Sequence, residues 1–307
     1  MTTEALTRVD PSEFSGRQPV IAALDAAARA ADGHSALGDA VWRDLAHPGA
    51  DSAGFLVDAS AYLHVARHGA EPAFTAGTVR LPEARGYEVT TILLEAAVAH
   101  VAARGGGTLE CWVFGATDTD DATFAAAGFL PARTLYEMRA PLPLGEPVAW
   151  PDGIEVRSFV PGRDDTEWLR VNNRAFASHT DQGGWTEATL RTRMAEPWFD
   201  PGLFLLAFDD AGMAGFNWLK LHPALAPDPS LGEIYVIGVD PRTQGTGLGR
   251  ALALNGLDRV RAAGAAAAML FCAADNTGAL ALYRSIGFAV HRTDRAYARD
   301  IEPVTTT

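Results

Sequence analysis

The chain writes one unit twice. Pro82 closes an apolar run and stands 46 residues before the pair Gly128-Phe129; Pro241 closes another and stands 46 residues before Gly287-Phe288. A single shift of 159 residues therefore superposes both stretches. Short β-branched runs alternate with helical periodicity in each copy, so the fold class is α/β, with one unit repeated. Between the copies, residues 140–153 (APLPLGEPVAWPDG) hold four prolines and two glycines, which bars them from helix or strand interiors. The division that follows is a first domain at 1–143, a linker at 144–153 and a second domain at 154–302. A length of 307 residues suits two domains, and a 48% hydrophobic composition fills two cores.

In the first copy the pattern predicts two helices across 18–45, strands at Phe55–His68 and Ala73–Leu81, and a helix at Tyr87–Arg104. A strand at Thr108–Phe114, a short helix near Ala122–Ala127 and a strand at Thr134–Arg139 complete it. The second copy predicts a strand at Glu155–Phe159, helices at Arg163–Phe176 and Glu187–Ala195, and strands at Leu203–Phe208 and Gly215–Leu221. A central strand follows, then a buried strand at Ala266–Ala273, a helix at Thr277–Ser285 and final strands through Ile301.

The central stretch, Gly232 to Arg250 (GEIYVIGVDPRTQGTGLGR), concentrates the chemistry. A strand ends at Asp240-Pro241, a glycine-dense turn follows, and from Leu248 apolar residues recur at helical spacing. Such a helix start offers unpartnered N–H groups and the positive end of a dipole, and glycines let an anion approach the backbone. A Walker loop is excluded because Gly249-Arg250-Ala251 lacks the lysine and hydroxyl residue. A dinucleotide loop is excluded because a proline and four further residues separate strand and glycines.

The first copy serves as an internal control. At the shift of 159, Glu88 replaces Gly247 and Thr90 replaces Gly249, which puts a carboxylate where a diphosphate would lie. Phe74 stands in place of Glu233, and Phe124 in place of Tyr283. Only the second copy keeps the cradle together with two proton-handling groups. Glu233 is thus the candidate base and Tyr283 the candidate acid.

A net charge of −13 argues against nucleic acid or an anionic membrane as partner. A polyanionic cofactor must then be met by local donors, the loop amides with Arg242 and Arg250. Cys111 and Cys272 lie in apolar runs and read as buried free thiols. His64 and His68 share a strand-like run rather than a helix face, so no metal site is expected. With no signal peptide or transmembrane run, a cytosolic monomer is expected.

The Gln-x-x-Gly-x-Gly pattern after a strand and Asp-Pro resembles the pyrophosphate loop of the GNAT acyltransferases, which take acetyl-CoA. That resemblance implies, for each domain, a mostly antiparallel twisted mixed sheet flanked by helices. Leu169-Arg170-Val171-Asn172-Asn173, Asp181-Gln182-Gly183-Gly184-Trp185, Trp198-Phe199-Asp200-Pro201 and Trp218-Leu219-Lys220-Leu221-His222-Pro223 are similar to the mycothiol synthases, a tandem GNAT family. That family acetylates the cysteinyl amine of cysteinyl-glucosaminyl-inositol, a small molecule. The resemblance implies Glu233 as general base and Tyr283 as general acid. It implies acetyl-CoA contacts at Ile237, Gly238, Val239, Gln244, Gly245, Thr246, Gly247, Leu248, Gly249 and Arg250. Asn276, Thr277, Gly278, Ala279, Leu280 and Ala281 follow on the next helix; Asn276 reads equally as a cap for that helix. Asp39, Asp181, Lys220, Glu233 and Phe271 match substrate contacts. The family pattern has a tyrosine where this chain has Phe271 and usually a glutamate where it has Ala273, which bears on acceptor identity. The alternatives are a tandem GNAT acetylating another small polar amine and a non-catalytic acyl-CoA-binding sensor.

Overall fold

A computed structural model describes residues 6–67, 73–145, 147–177 and 182–304. The chain divides into two compact units. The first comprises Met1–Tyr136, Ala273–Asp275 and Arg292–Thr307; the second comprises Glu137–Cys272 and Asn276–His291.

In chain order the first unit carries β1 (Leu6–Val9), α1 (Phe14–Asp32), α2 (Asp39–Ala46), β2 (Ala53–Val57), β3 (Ala61–Arg67) and β4 (Ala73–Arg80). It continues with α3 (Tyr87–Ala102), β5 (Gly107–Val113), α4 (Asp118–Ala126) and the first half of β6 (Leu130–Pro141). Strands β1 to β4 pair antiparallel in sequence, and β4 pairs parallel with β5. Helices α1 and α2 cover one face through Phe14, Ile21, Leu24 and Leu45 against Leu56, Tyr62 and Val79. Helix α3 covers the other with Leu93, Leu94, Ala97 and Val101.

The second unit carries β7 (Glu155–Ser158), α5 (Asp165–Ala175), α6 (Glu187–Met194), β8 (Phe204–Asp209), β9 (Gly212–His222) and β10 (Leu231–Val239). Helix α7 (Leu248–Ala262), β11 (Ala267–Ala273), α8 (Thr277–Ser285) and the first residues of β12 (Ala289–Ile301) follow. Strands β7, β8, β9 and β10 pair antiparallel, and β10 pairs parallel with β11. The shift of 159 carries α4 onto α8 end for end, so the duplication is structural. Gly128 and Gly287 both take the left-handed conformation just past those helices (φ 79° and 95°), where a side chain is strained.

Two expectations change, and one strand is added to them. Phe55–His68 is not one strand: the chain turns at Asp58 (φ 46°), and Ser60 Oγ donates to the Val57 carbonyl, leaving β2 and β3 as a hairpin. Strand β1 arises from a short polar run whose pattern gave no signal; it is fixed by pairing with β2. The stretch 292–302 was assigned to the second domain, yet Arg295–Ile301 forms an antiparallel ladder with Val113–Gly107, so the chain's last strand belongs to the first unit. His68 and Asp181 lie outside the described residues.

Helix α7 lies very close to its sheet, because two small residues remove the usual spacing. A Cβ at Gly256 would sit 2.2 Å from Asn217 Nδ2, and one at Gly232 would sit 2.3 Å from Val260. The gap lets Asn217, fully buried on β9, donate through Nδ2 to the Leu252 carbonyl at 2.9 Å. Gly256→Ala is expected to lose about 1–3 kcal/mol of unfolding free energy by overpacking, read from the denaturant midpoint. An unchanged midpoint would mean that the helix can stand off without loss.

Candidate active site

Strands β10 and β11 part company. Their parallel ladder runs from Leu231–Ala267 to Ile234–Leu270 and stops, although β10 continues to Val239 and β11 to Ala273. On its other side β10 stays paired with β9 as far as Val239–Gly215, across a bulge between Ile234 and Val236. Asp240 N donates to the Ala214 carbonyl at 2.8 Å. By strand alternation, the peptide groups of Ile237 and Val239 then face the opened edge and those of Gly238 face β9. Of the three predicted backbone contacts, two have their N–H and C=O groups in the fork. Gly238 has a steric role instead: a Cβ there would meet the Phe216 ring at 2.9 Å.

The turn beyond the fork is built for an anion. Gly245 and Gly247 take φ of 79° and 89°, and a Cβ at either would meet nothing within 4 Å. Their glycine identity therefore serves backbone conformation and open approach rather than packing. Gly247 caps α7 with no side-chain hydrogen bond, and the first turn carries no acidic residue. Asp240, fully buried, anchors the start of the turn by accepting from Arg242 N. The expectation for Arg242 is corrected: its guanidinium is bound to Asp209 and to the carbonyls of Gly212 and Met213, which ties it to the β8–β9 hairpin. Arg250 donates to Ser285 Oγ at 2.9 Å, linking α7 to α8.

The corresponding place in the first unit carries charges of its own. Strand β4 leaves β5 after Gly77–Trp112, so the fork exists there too. Without a glycine at 88 the chain winds straight into helix: Gly86 is the cap at φ −65°, and Glu88 sits in the first turn. Arg80, at the end of β4, crosses the fork to Asp120 Oδ1 on α4 at 2.7 Å and to Thr90 Oγ1 on α3 at 3.0 Å. Both charges are buried, and Asp120 is held below the usual carboxylate range by Arg80 and the Thr117 bonds despite its burial. A cavity of about 400 Å³ remains beside this strap, lined by Asp32, His34, Arg85 and Phe114 among others. Phe74 and Phe124, the counterparts of Glu233 and Tyr283, are core residues; Phe124 stacks on Tyr297 at 4.3 Å.

Glu233 lies just before the fork, 7% exposed, opposite Lys220 on β9 and Met269 on β11. Its Oε2 is 2.7 Å from Nε2 of His222. Lys220 Nζ stands 5.0 Å from the Trp198 ring centroid. Phe271 follows Met269 by two residues on β11 and is 40% exposed. Tyr283, on α8, is buried, and burial with the neighbouring Cys272 pushes its phenol up, so it is protonated at neutral pH. Asn276 caps α8, its Oδ1 accepting from Ala279 N at 3.1 Å, and no acid stands in that first turn. Asp39 is exposed at the first position of α2, in the first unit. Both cysteines are buried free thiols, and burial drives Cys111 up to about 12. No group of metal-ligating side chains occurs among the described residues. No helix among them is long and apolar enough to cross a membrane. Sequence reasoning gave His222 no role, although period-two alternation from Lys220 places it on the same sheet face.

A model of the acetyltransferase (GNAT) family matches residues 168–288. A GCN5-related N-acetyltransferase from Sphaerobacter thermophilus shares the fold with a TM-score of 0.75 and 24% identity, over 97% of this chain and 96% of that one. A tandem GNAT protein from the clavulanic acid biosynthesis pathway superposes with a TM-score of 0.73 and 16% identity, over 97% and 99% of the two chains. A mycothiol acetyltransferase from Thermobispora bispora is 40% identical over 299 residues, covering 95% of this chain and 99% of its own length. The chain belongs to the mycothiol acetyltransferase family. Another mycothiol acetyltransferase, from Mycobacterium marinum, is 39% identical over 90% of this chain and 91% of that protein. A third, from Thermomonospora curvata, is 49% identical over 63% of this chain and 64% of that protein.

The runs that carried the resemblance to this family have structural work in common. Asn172 and Asn173 of α5 latch the following loop: Asn172 Nδ2 donates to the Gln182 carbonyl, while Asn173 both donates to the Trp185 carbonyl and accepts from its N–H. Trp185, Trp198 and Phe199 then close on Trp218 at ring distances of 6.3, 5.9 and 5.7 Å. The cluster walls the sheet face that bears Lys220, His222 and Glu233. Gly247→Glu, which copies the first unit, is expected to weaken acetyl-CoA binding by at least about 100-fold through anion repulsion and backbone strain. Calorimetric affinity within a few-fold of wild type would show that the diphosphate lies elsewhere.

Proposed function

We propose that the second unit binds acetyl-CoA in the β10–β11 fork and passes its acetyl group directly to the cysteinyl amine of cysteinyl-glucosaminyl-inositol in a ternary complex. The observation that carries this reading is a buried carboxylate, Glu233, placed where β10 leaves β11 and just ahead of an acid-free, left-handed glycine turn. The diphosphate lies on the amides of Gly245 to Arg250, and the pantetheine arm adds to the open edge of β10 as a short extra strand would. The Ile237 and Val239 peptide groups hold its amides and orient the thioester carbonyl. Asn276 to Ala281 flank the coenzyme from α8, and the acceptor lies over Lys220, Glu233 and Phe271.

Glu233 takes a proton from the acceptor ammonium, directly or through a water, and the freed amine attacks the thioester carbon. An α-amino group, with a pKa near 8, needs far less help than a lysine near 10.4. One carboxylate therefore suffices at neutral pH. Tyr283 hydrogen-bonds the departing sulfur and protonates it as the carbon–sulfur bond breaks. Its raised phenol pKa keeps the donor loaded, and the same dry surroundings raise the basicity of the thiolate that receives the proton. The first unit, strapped by Arg80 and Asp120, takes no part in the chemistry.

Glu233→Gln is expected to lower kcat by about 10²-fold or more while leaving the calorimetric Kd for acetyl-CoA unchanged; turnover at the wild-type rate would remove it as base. A second reading, acetylation of another small polar amine, is favoured by the apolar Phe271 on the acceptor face. Phe271→Tyr distinguishes the two. If the acceptor preference has drifted, kcat/KM for cysteinyl-glucosaminyl-inositol rises in a thiol-release assay; no change makes that hydroxyl dispensable.

A further inference from the structure

The Glu233 carboxylate has two oxygens, and the fold commits one of them. In the β9–β10 register Lys220 stands opposite Glu233 and His222 opposite Leu231, so His222 meets Glu233 on the diagonal of one sheet face. The contact is Nε2 to Oε2 at 2.7 Å. A carboxylate can only accept, so Nε2 carries the hydrogen in this pair. The His222 side chain is 31% exposed and that of Glu233 9% exposed, so the imidazole stands between a buried carboxylate and water.

We propose that His222 is the positioning residue of the catalytic base, an inference that rests on the reading of Glu233 as that base. Its Nε2–H donates to Oε2, fixes the carboxylate in one rotamer and leaves Oε1 for the acceptor's ammonium proton. Other described residues stand around this pair. Lys220, two residues earlier on β9, reaches over the Trp198 ring. Leu231 and Met269, the register neighbours on β10 and β11, are apolar. Asp228, in the loop after His222, is held by Arg139 at 2.5 Å.

The proton balance shows why one oxygen must stay open. An ammonium acceptor carries three hydrogens on nitrogen and the amide product carries one. Tyr283 gives the coenzyme sulfur its proton; one of the two protons lost from nitrogen reloads the phenol, and the other leaves through Glu233. A carboxylate free to rotate would present either oxygen, or neither, to the nitrogen; a clamped one presents Oε1 at each encounter.

The test uses the full chain and three substitutions, with kcat from thiol release and acetyl-CoA affinity from calorimetry. His222→Gln keeps an N–H donor at nearly the position of Nε2 and is expected to turn over within about three-fold of wild type. His222→Leu removes the donor, and His222→Asn carries one that is too short to reach. Each is expected to lower kcat about 10- to 100-fold, the worth of a hydrogen bond to a charged group, with the acetyl-CoA Kd unchanged. Equal rates for the Gln and Asn variants, or a wild-type rate for the Leu variant, would overturn the assignment. Glu233→Gln, run alongside, separates the cases: if it is slow while His222→Leu is not, only the histidine's role falls. If Glu233→Gln is itself fast, the base assignment falls first.

Discussion

Everything about this site depends on a ladder that stops. A parallel pair of strands normally keeps its hydrogen bonds to the end, because an unpaired peptide group shielded from water costs free energy. Here β10 and β11 separate after four paired positions while both strands continue. The peptide groups of Ile237 and Val239 are thereby left without a strand and available for a ligand that presents amides of its own. The bulge at Tyr235 belongs to the same device. It lets the strand bend away while returning Val236 to register with Trp218.

The two units share one frame and differ in the charges they set around the fork. Both keep the parting strands, the two helices and the terminal left-handed glycine. What differs is charge at two helix N-termini. In the second unit neither α7 nor α8 has an acid in its first turn, whereas α3 carries Glu88 and α4 carries Asp118, Asp120 and Asp121. The first unit has in effect supplied its own anion: the Asp120 carboxylate satisfies the Thr117 amide and hydroxyl, and Arg80 neutralises it. A buried pair of this kind is costly to break by removing one partner.

The duplication, the glycine turn and the pairing of Glu233 and Tyr283 with phenylalanine counterparts were legible from residues alone, since each is a local or periodic signal. The turn at Asp58 was not, because the apolar alternation of Phe55–His68 runs through it and only a single positive φ marks the reversal. Arg242 misled for a related reason. Its place beside the cradle suggested an anion contact, but Asp209 and an acceptor-rich hairpin end claim its guanidinium. His222 needed the register: alternation puts it on the right face, and only the antiparallel alignment of β9 with β10 brings it to the Glu233 carboxylate.

The homecoming of β12 bears on how the chain is born. Synthesis proceeds from the N-terminus, yet the strand that covers the outer edge of β5 is Arg295–Ile301. Until those residues leave the ribosome, the earlier unit holds a bare β5 edge, with Thr108, Glu110 and Trp112 along it, through the making of the entire later unit. An edge of that kind recruits foreign strands. Cutting the chain at its proline-rich segment strands the nascent half in that unfinished state, so the boundary visible in composition is not a seam along which the protein can be divided.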